Sequence, residues 1–244
     1  MKKYISISQY PGRTGQYFYT EFLKHYNIEA VYEPRAATDL NRAVEQAIMD
    51  NVAGISVSMP FKKDVIEYLD KKDYLVDVYN SCNTINMENG QLVGYNCDFA
   101  GVEYTVEEIA QASLTTITIL GNGAMGTMYK DYLIDNNYNP FVCARSNNRW
   151  DVRHSVTEVI INTTSFGTAT DASPLDYIPL GVRLVIDLAI KPNQLQQQCL
   201  NDSIKYISGA EFYKQQFLRQ FEIYTGIAPD SETYDKIKQN YETI

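Results

Sequence analysis

The sequence predicts a two-lobe α/β protein, because short apolar runs with strand character alternate with amphipathic segments of helical spacing in two separate series. The first series covers residues 4–112, and the second runs from residue 115 to residue 207. A glycine-rich turn at residues 121–126 follows the first strand of the second series. This repeated order favours mostly parallel sheets with helices packed on their faces.

The first series begins with a strand and a helix in which Phe18, Phe22 and Tyr26 recur at helical spacing. Thr38 or Asp39 is expected to cap the next helix. Pro60 is expected to open another, because proline is favoured in the first helical turn. Residues 88–90 (ENG) form a turn between two runs that we expect to pair as a hairpin. The predicted strands are 4–8, 28–32, 53–57, 83–87 and 91–95, and the first predicted helix is 15–26.

The second series follows a helix predicted over residues 98–112. The β-branched run at 115–120 is typical of a buried strand, and it ends at Gly121. The tail, residues 209–244, has helical spacing with a break at residues 226–229 (GIAP). We therefore expect helices from the tail to pack on one of the two lobes.

The composition excludes several classes of protein. Asp and Glu number 30 against 21 Lys and Arg, which gives a net charge of −9 and leaves no basic footprint for nucleic acid. The four cysteines form no CxxC pair and only two histidines are present, so no metal site is expected. No run reaches the ~18 apolar residues of a membrane helix, and the N-terminus lacks a signal-peptide pattern. We expect a cytoplasmic protein that binds a small molecule and neither nucleic acid nor a membrane.

The segment 121–126 matches G-x-G-x-x-G between a predicted strand and a predicted helix. The first glycine permits a tight turn, the second lets a pyrophosphate approach the backbone, and the third lets the helix pack closely on the sheet. Free N–H groups at the helix N-terminus favour phosphate. The second lobe is therefore predicted to be Rossmann-like and to bind a dinucleotide; the alternative is an ordinary βα turn. The residues expected to contact the dinucleotide here are Gly121, Asn122, Gly123, Ala124, Met125 and Gly126.

The next strand indicates which dinucleotide is bound. NAD sites place a carboxylate about 20 residues after the glycine turn, where it holds the ribose 2′-hydroxyl. This chain has Arg145, Ser146 and Arg149 in that region. Guanidinium groups match phosphate oxygens in geometry and charge, so the segment favours NADP over NAD. The alternative is that both arginines are solvated loop charges.

Lys62 stands near the end of a predicted strand in the segment 54–63 (GISVSMPFKK). The carboxyl ends of strands in α/β sheets are where ligands bind. A cation in the first turn of a helix opposes the helix dipole, so Lys62 is not placed there for helix stability. Taken alone, it would be better interpreted as a solvated surface charge.

Several motifs follow one another in an order that resembles the shikimate dehydrogenase family. Residues 56–62 (SVSMPFK), 83–84 (NT) and 94–101 (GYNCDFAG) are similar to the family's S-V-T-x-P-x-K, N-T and G-x-N-T-D-x-x-G. After the glycine turn, similar segments occur at 145–149 (RSNNR), 160–167 (IINTTSFG), 187–192 (DLAIKP), 209–216 (GAEFYKQQ) and 221–226 (FEIYTG). The resemblance spans residues 4 to about 229.

The resemblance implies reversible, NADPH-dependent reduction of 3-dehydroshikimate to shikimate, on the path to aromatic amino acids. It implies that Lys62 takes the hydroxyl proton in alcohol oxidation and returns it in ketone reduction, while Asp98 orients the amine and the same hydroxyl. Which of the two is formally the base stays open, and Asp98 as a simple helix N-cap is the alternative. The substrate-binding residues it implies are Ser58, Asn83 and Gln216, and the further cofactor-binding residues are Thr163, Thr164, Ser165, Leu188 and Gly209.

The N-terminal loop departs from the family's G-x-P-x-x-H-S-x-S-P, in which two serines bind the substrate carboxylate. Arg13 and Gly15 stand where those serines belong, and the loop is closer to a divergent shikimate-dehydrogenase-like branch. The carboxylate is then expected to meet Ser6, Ser8, Arg13 or Thr14. Arg13 as a solvated loop charge is the alternative.

Two further positions differ from the family. Ile190 replaces a substrate-contacting tyrosine, and Cys97 replaces the threonine of the N-T-D motif. We interpret Cys97 as a packed thiol, because no histidine lies near it in sequence. These changes leave the chemistry intact and leave the identity of the substrate open.

We therefore expect residues 1–98 and 210–244 to form the substrate lobe and residues 99–209 the NADP-binding lobe, with the active site in the cleft between them. One alternative is the same chemistry on quinate or another cyclic hydroxy acid. Another is a non-catalytic NADP-binding sensor derived from the family. The protein is expected to act as a monomer or a homodimer.

Overall fold

The computed structural model describes residues 1–241 and divides the chain into two compact units. The first unit contains Met1–Cys97 and the chain from Phe217 onward, and the second contains Asp98–Gln216. Each unit has its own sheet with helices packed on it, which confirms the predicted two-lobe α/β fold class.

The strands and helices are named in chain order. They are β1 (Lys2–Ser8), α1 (Thr14–His25), β2 (Ala30–Ala36), α2 (Leu40–Met49), β3 (Gly54–Val57), β4 (Lys71–Lys72), α3 (Tyr74–Tyr79), β5 (Thr84–Glu88), β6 (Gln91–Tyr95), α4 (Asp98–Gln111), β7 (Ile117–Leu120), α5 (Ala124–Asp135), β8 (Phe141–Cys143), β9 (Val159–Asn162), β10 (Leu184–Asp187), α6 (Gln194–Asn201), β11 (Lys205–Ser208), α7 (Gly209–Thr225) and α8 (Ser231–Tyr241).

The sheet of the first unit has the strand order β2-β1-β3-β5-β6-β4. β1 pairs in parallel with β2 and β3, whereas β5 joins β3 antiparallel and forms the predicted hairpin with β6. Side chains alternate along β1, so Ile5 and Ile7 enter the hydrophobic core while Tyr4, Ser6 and Ser8 face the other side. The two faces of one strand therefore serve different purposes, since one is apolar and the other carries hydroxyl groups.

Aromatic side chains cover the hydroxyl-bearing face. Tyr4 stacks on Tyr224 with ring centroids 4.9 Å apart, and Phe22 packs against Phe221 at 5.4 Å. Phe22 and Phe221 are completely buried. Such ring pairs add roughly 0.5–1.5 kcal/mol each beyond the area they bury, so they fix α1 and the second half of α7 on this sheet.

The prediction that Pro60 opens an α-helix is wrong. Turns cover residues 59–63, and only a short 3₁₀ helix, Asp64–Tyr68, follows. The chain must become extended almost at once, because the backbone N–H of Asp70 donates to the Leu92 carbonyl before β4 pairs with β6. Lys62 therefore lies in a turn and not in the first turn of a helix.

The second predicted strand is displaced along the chain. It was expected at 28–32, and the structure has β2 at Ala30–Ala36. The register with β1 explains the shift, because Lys2 is opposite Ala30 and Ser8 is opposite Ala36. Parallel pairing with a neighbour extends the strand through Pro34, a residue that local propensity alone places outside strands.

The sheet of the second unit has the order β11-β10-β9-β7-β8 with parallel pairing throughout. β7, β9 and β10 are buried along their whole length, as expected for strands covered on both faces. The strand order reverses at β7, since β8 lies on one side of it and β9 on the other. Ligands bind at such a switch point, beyond the carboxyl ends of the strands.

Within residues 1–241, none of the helices has the length and hydropathy needed to cross a bilayer.

Candidate active site

The turn that holds Lys62 is fixed by backbone hydrogen bonds within the first unit. The N–H of Ser58 donates to the Ile7 carbonyl at 3.0 Å, and the N–H of Phe61 donates to the Ser58 carbonyl at 3.0 Å. The carbonyl of Lys62 accepts from the N–H of Cys82 at 2.7 Å. Since Cys82 directly precedes Asn83, these bonds bring Ser58, Lys62 and Asn83 into one neighbourhood beyond the carboxyl ends of β1 and β3. The lysine side chain is half-buried, and Ser58 is exposed.

Asn83 is the most constrained polar side chain of this neighbourhood, with 1 % of its surface exposed. Its Oδ1 accepts from the backbone N–H of Cys97 at 2.9 Å and from the hydroxyl of Thr84 at 2.8 Å. A backbone N–H is only a donor, so it fixes which end of the amide faces Cys97. The Nδ2 atom is left buried with no hydrogen-bond partner among the described residues. Leaving such a donor unsatisfied costs about 1–3 kcal/mol, which a bound oxygen acceptor would recover.

Burial and nearby charges determine the protonation of the groups around Asn83. The pKa of the Cys82 thiol is raised to about 12, chiefly by burial. The charge of Asp73 contributes to this rise, and the charge of Lys62 opposes it. Burial also raises the pKa of Asp73, against hydrogen bonds from backbone N–H groups, of which that of Val76 has the largest effect. Cys82 is therefore a protonated, packed thiol. Cys97, 2 % exposed, is buried as well, in keeping with its interpretation as a packed residue.

The N-terminal residues expected to meet the substrate carboxylate lie in different settings. Ser6 is half-buried in β1, near Tyr32; burial raises the pKa of the Tyr32 phenol, and the Ser56 and Ser6 hydroxyls oppose that rise. Ser8 is buried. The Thr14 hydroxyl lies 3.3 Å from that of Tyr241.

Arg13 and Thr14 are both exposed at the start of α1, whereas Ser6 is half-buried and Ser8 is buried. Arg13 supplies the one positive charge among these four candidate residues.

Asp98 and Gln216 belong to the second unit, at its two ends. Asp98 is the first residue of α4 and is 5 % exposed, and Gln216 is half-buried in α7. A carboxylate in the first helical turn is stabilised by the free N–H groups and the helix dipole. The structure thus places Asp98 in the first turn of α4.

The glycine turn at residues 121–126 has the geometry that the sequence pattern predicts for its three glycines. Gly121 has φ +107°, a conformation that side chains disfavour, and its N–H donates to the Cys143 carbonyl at 2.9 Å. A Cβ on Gly126 would lie 2.5 Å from the Gly121 carbonyl oxygen, so α5 approaches the turn as closely as glycine permits. A Cβ on Gly123 would meet no protein atom within 4 Å. Open space at the start of α5 fits the approach of a pyrophosphate to Gly123, and the residues present therefore fit a dinucleotide.

A second loop lies beside the glycine turn, after β9. The N–H and the hydroxyl of Thr163 both donate to the Leu120 carbonyl at 2.9 Å, which ties this loop to the end of β7. The hydroxyl and the N–H of Thr164 donate to Asn162 Oδ1 at 2.6 and 3.1 Å. The predicted cofactor residues Thr163, Thr164 and Ser165 are thus brought next to Gly121, at the switch point of the sheet.

A buried carboxylate organises the loops after β9 and β10. Asp187 is fully buried and accepts from Asn162 Nδ2 at 2.9 Å, Asn193 Nδ2 at 2.9 Å and the Tyr206 hydroxyl at 2.8 Å. Burial, followed by the charge of Asp187, raises the pKa of Tyr206 far above its ordinary value, so this phenol stays a donor. The network fixes the backbone that leads into Leu188.

Leu188 and Gly209 are adjacent in the second unit. A Cβ on Gly209 would overlap the Leu188 carbonyl oxygen, and the Gly209 N–H donates to the Ala189 carbonyl at 3.0 Å. The two residues predicted to face the nicotinamide therefore lie side by side. Ile190, two residues after Leu188, is 60 % exposed.

The arginine segment after β8 is held by Asn147. Its Oδ1 accepts from the N–H groups of Ala144 and Arg149, and its Nδ2 donates to the Val142 carbonyl. Arg145 and Arg149 are exposed, and Ser146 lies between them in a 3₁₀ turn. The guanidinium carbon of Arg145 lies 5.7 Å from the ring centroid of Trp150, the single tryptophan of the chain. The loop thus presents two solvated guanidinium groups beyond the carboxyl end of β8.

The sequence motifs do not reveal which residues support these side chains. Asn147 and Asp187 lie within motifs that resemble the family's, but nothing in those motifs indicates that they hold the neighbouring loops by hydrogen bonds. Gln220 lies one helical turn after Gln216, and its side chain contacts the Thr84 hydroxyl. The spacing of the two glutamines on one face of α7 was the only signal in the sequence that pointed to Gln220.

Comparison with known proteins finds a family match within the first unit. Residues 14–85 match the family model described as the shikimate dehydrogenase substrate binding domain. The chain is similar to the shikimate dehydrogenases, which confirms the family resemblance inferred from the motifs.

Individual relatives cover most of the chain. The shikimate dehydrogenase (NADP(+)) of Pyrococcus abyssi is 28% identical over 235 residues, with 88% of each chain covered. A Thermus thermophilus shikimate 5-dehydrogenase, solved with NADP(H) and shikimate, has a TM-score of 0.83 at 18% identity and covers 98% of this chain and 99% of its own. The 5-ketofructose reductase of Gluconobacter sp. has a TM-score of 0.81 at 18% identity, with 98% of each chain covered. The fold is therefore shared by reductases named for different substrates.

Proposed function

We propose that this protein is an NADP-dependent shikimate dehydrogenase, which reversibly transfers hydride between NADPH and 3-dehydroshikimate. The observation that supports this best is the buried, unpartnered Nδ2 of Asn83 beside the Lys62 turn, in the unit that matches a shikimate dehydrogenase substrate binding domain. The relative from Pyrococcus abyssi is named for the same activity.

Lys62 moves the proton in the proposed reaction. In alcohol oxidation its neutral amine takes the proton of the reacting hydroxyl, the C–H electron pair leaves as hydride, and a carbonyl forms. In ketone reduction the ammonium returns that proton to the forming hydroxyl. Asp98 would accept a hydrogen bond from the same hydroxyl and orient it. NADP, when bound, supplies the nicotinamide that takes up or delivers the hydride.

The remaining substrate-binding residues orient the ring. Asn83 donates through Nδ2 to a substrate oxygen, while Ser58 and Gln216 bond adjacent hydroxyls. For the carboxylate we propose Arg13, because it is exposed and is the one cation among the four candidates, whereas Ser8 is buried and the Thr14 hydroxyl lies 3.3 Å from that of Tyr241. A guanidinium group can hold a carboxylate through two parallel hydrogen bonds.

The second unit holds the cofactor in this proposal. Gly123 and the first turn of α5 would hold the pyrophosphate, and Thr163, Thr164 and Ser165 would line the neighbouring loop. Arg145, Ser146 and Arg149 would hold the 2′-phosphate. Leu188 and Gly209 would face the nicotinamide.

A second candidate function is the same chemistry on another polyhydroxy substrate, such as quinate. Two observations favour it. Arg13 and Gly15 stand where the family has two carboxylate-binding serines, and Ile190 is exposed where the family has a substrate-contacting tyrosine. The fold also serves a 5-ketofructose reductase, so a change of substrate on this scaffold has a structural precedent.

The deciding experiment follows NADPH formation by absorbance when purified protein meets NADP⁺ and shikimate, with parallel reactions that contain NAD⁺ or quinate. We expect a rise with shikimate and NADP⁺ that Lys62→Ala abolishes. A rise with quinate alone would replace the first candidate with the second. Tight NADP binding without turnover of any cyclic hydroxy acid would favour a non-catalytic sensor.

We further propose a cytoplasmic enzyme that acts as a monomer or a homodimer. The four cysteines are buried thiols that form no disulfide, which fits a reducing compartment.

A further inference from the structure

We propose that Gln220 is a positioning residue, which holds the Asn83 amide as a hydrogen-bond donor toward the substrate. This inference rests on the proposed function, because it assigns Asn83 to a substrate oxygen. It concerns a residue that lies outside the motifs and that contacts Asn83 chiefly through Thr84.

The amide of Gln220 is itself fixed in orientation. It is 5 % exposed, and its Oε1 accepts from the hydroxyls of Tyr19 at 2.7 Å and Ser56 at 2.9 Å. Two hydroxyl donors on one side require the carbonyl end of the amide there, so the NH₂ end faces the other way. Tyr19 lies on α1 and Ser56 on β3, so two elements of the first unit hold the carbonyl end of this amide.

The NH₂ group of Gln220 determines the direction of the Thr84 hydroxyl. Nε2 donates to Thr84 Oγ1 at 2.6 Å and to the Asn83 carbonyl at 3.2 Å. A hydroxyl has a single proton, and with its oxygen occupied by this donor the proton is directed to Asn83 Oδ1 at 2.8 Å. The nearby Sγ of Cys97, at 3.2 Å, is a weak acceptor by comparison.

The consequence is a series of hydrogen bonds that all run in one direction. Tyr19 donates to Gln220, Gln220 donates to Thr84, and Thr84 donates to Asn83. With Oδ1 occupied by Thr84 and by the Cys97 N–H, Asn83 can present only its Nδ2 protons. The site is thereby specific for an acceptor, such as a hydroxyl or ketone oxygen, at this point of the substrate. Hydrogen bonds in such a series polarise one another, so loss of a distant member weakens the last one.

Gln220→Met tests the proposal, because it preserves length and removes both hydrogen-bonding ends. We expect the KM for shikimate to rise about tenfold, while kcat and the NADP dissociation constant change less than about twofold. The reason is that the weakened contact binds the ground state and the transition state equally. Thr84→Val should give the same pattern and Thr84→Ser should restore the wild-type KM. Gln220→Glu should also raise the KM, because a carboxylate would draw the Thr84 proton away from Asn83.

A double-mutant cycle separates a relay from two independent effects. The variant with both Gln220→Met and Thr84→Val should be no worse than Thr84→Val alone, because the two residues act in series. If the KM increases of the two single variants multiply in the double variant, the proposal is overturned. A Gln220→Met protein that loses thermal stability and keeps its KM would overturn it as well.

The matched control is Thr105→Val. Thr105 is likewise a fully buried threonine, its hydroxyl lies 2.7 Å from that of Tyr129, and it belongs to the second unit. We expect this variant to lose stability with no change in substrate KM. A KM change of equal size in this control would overturn the proposal, because the KM change in Gln220→Met would then reflect a general loss of stability.

The side-chain amide signals of Asn83 in ¹⁵N-labelled protein provide a readout that does not require turnover. They are assigned by their loss in Asn83→Ala. We expect them to move in Gln220→Met and Thr84→Val and to stay in place in Thr105→Val. If shikimate is not turned over, the proposed function fails while this measurement still tests the relay, and unmoved signals in Gln220→Met would overturn the relay by itself.

Discussion

The two units hold their functional groups by different means. In the first unit, Asn83 is oriented by side-chain hydrogen bonds that connect residues far apart in the sequence, from Tyr19 to Gln220. In the second unit, the glycine turn owes its shape to backbone conformation, with φ +107° at Gly121 and a close approach of α5 at Gly126. Small contiguous motifs therefore specify one site, and a long-range network specifies the other.

This difference has an energetic consequence. A glycine turn tolerates change at its surface as long as the backbone path is preserved. A buried polar network is sensitive at every member, because each amide or hydroxyl that loses its partner leaves another one unsatisfied. Substitutions in the two units should therefore fail in different ways, one through steric clash and the other through misdirected hydrogen bonds.

The largest expected effect tests the chemistry of the first unit. Lys62→Ala should lower turnover by about 10²–10⁴-fold, because a positioned proton-transfer group is lost. Binding of NADP should be unchanged, as measured by the fluorescence of Trp150. The matched control is Lys63→Ala, which removes the neighbouring exposed lysine and should keep full activity. Equal loss of turnover and of NADP binding in Lys62→Ala would remove the residue from the proton-transfer role.

Two glycine variants test the backbone argument in the second unit. Gly126→Ala places a Cβ 2.5 Å from the Gly121 carbonyl oxygen, so we expect both the Tm and the NADP affinity to fall. Gly123→Ala meets no protein atom within 4 Å, so its Tm should stay unchanged while NADP binding weakens about tenfold or more. Thermal melts with and without NADP measure both quantities. A Gly123→Ala protein that binds NADP normally would contradict the pyrophosphate assignment.

A smaller effect is expected at the arginine segment. Arg145→Ala should weaken NADP by about 10–100-fold and leave NAD nearly unaffected, because only NADP has a 2′-phosphate to lose a charge-assisted hydrogen bond. Titrations of both cofactors, followed by NADPH or NADH fluorescence, give the ratio. Arg42→Ala removes an exposed arginine of the first unit and should leave the ratio unchanged. An unaltered NADP preference in Arg145→Ala would exclude this residue from cofactor selection.

The contrast between the units also explains what could be predicted from the sequence. The roles of Gly121, Gly123 and Gly126 follow from local rules, so strand, turn and helix were all predictable. The α-helix wrongly predicted after Pro60 and the displaced β2 both reflect pairing with distant strands, through Asp70 and through the β1 register.

The side-chain networks could not be predicted from the sequence for the same reason. Asn83 was found through a motif, but its direction depends on Thr84, Gln220 and Tyr19, which come from β5, α7 and α1. Asp187 lies in a recognisable motif, yet nothing in that motif predicts that Asn162 and Tyr206 donate to it. Sequence patterns locate these groups on elements, and only the packing of the elements brings them together.

The smallest expected effect concerns a carboxylate that supports the second unit. The backbone N–H of Thr115, then that of Thr116, lowers the pKa of Glu158 from 4.5 to about 2 by donating to the carboxylate at the start of β7. A depressed pKa means that the carboxylate stabilises the fold fully above pH 4.5 and loses that contribution as the pH falls toward 2.

Glu158→Gln should therefore lower the Tm at pH 7, and its difference from the wild type should narrow as the pH falls below 4.5. Glu29→Gln, at an exposed glutamate of the first unit, should match the wild type throughout. In the first unit, hydrogen bonds from Thr233 hold the pKa of Asp230 at about 2 in the same way, at the start of α8. Acid should thus weaken the start of β7 in the second unit and the start of α8 in the first. A difference in Tm between Glu158→Gln and the wild type that stays constant down to pH 3 would show that β7 is held by packing and not by this charge.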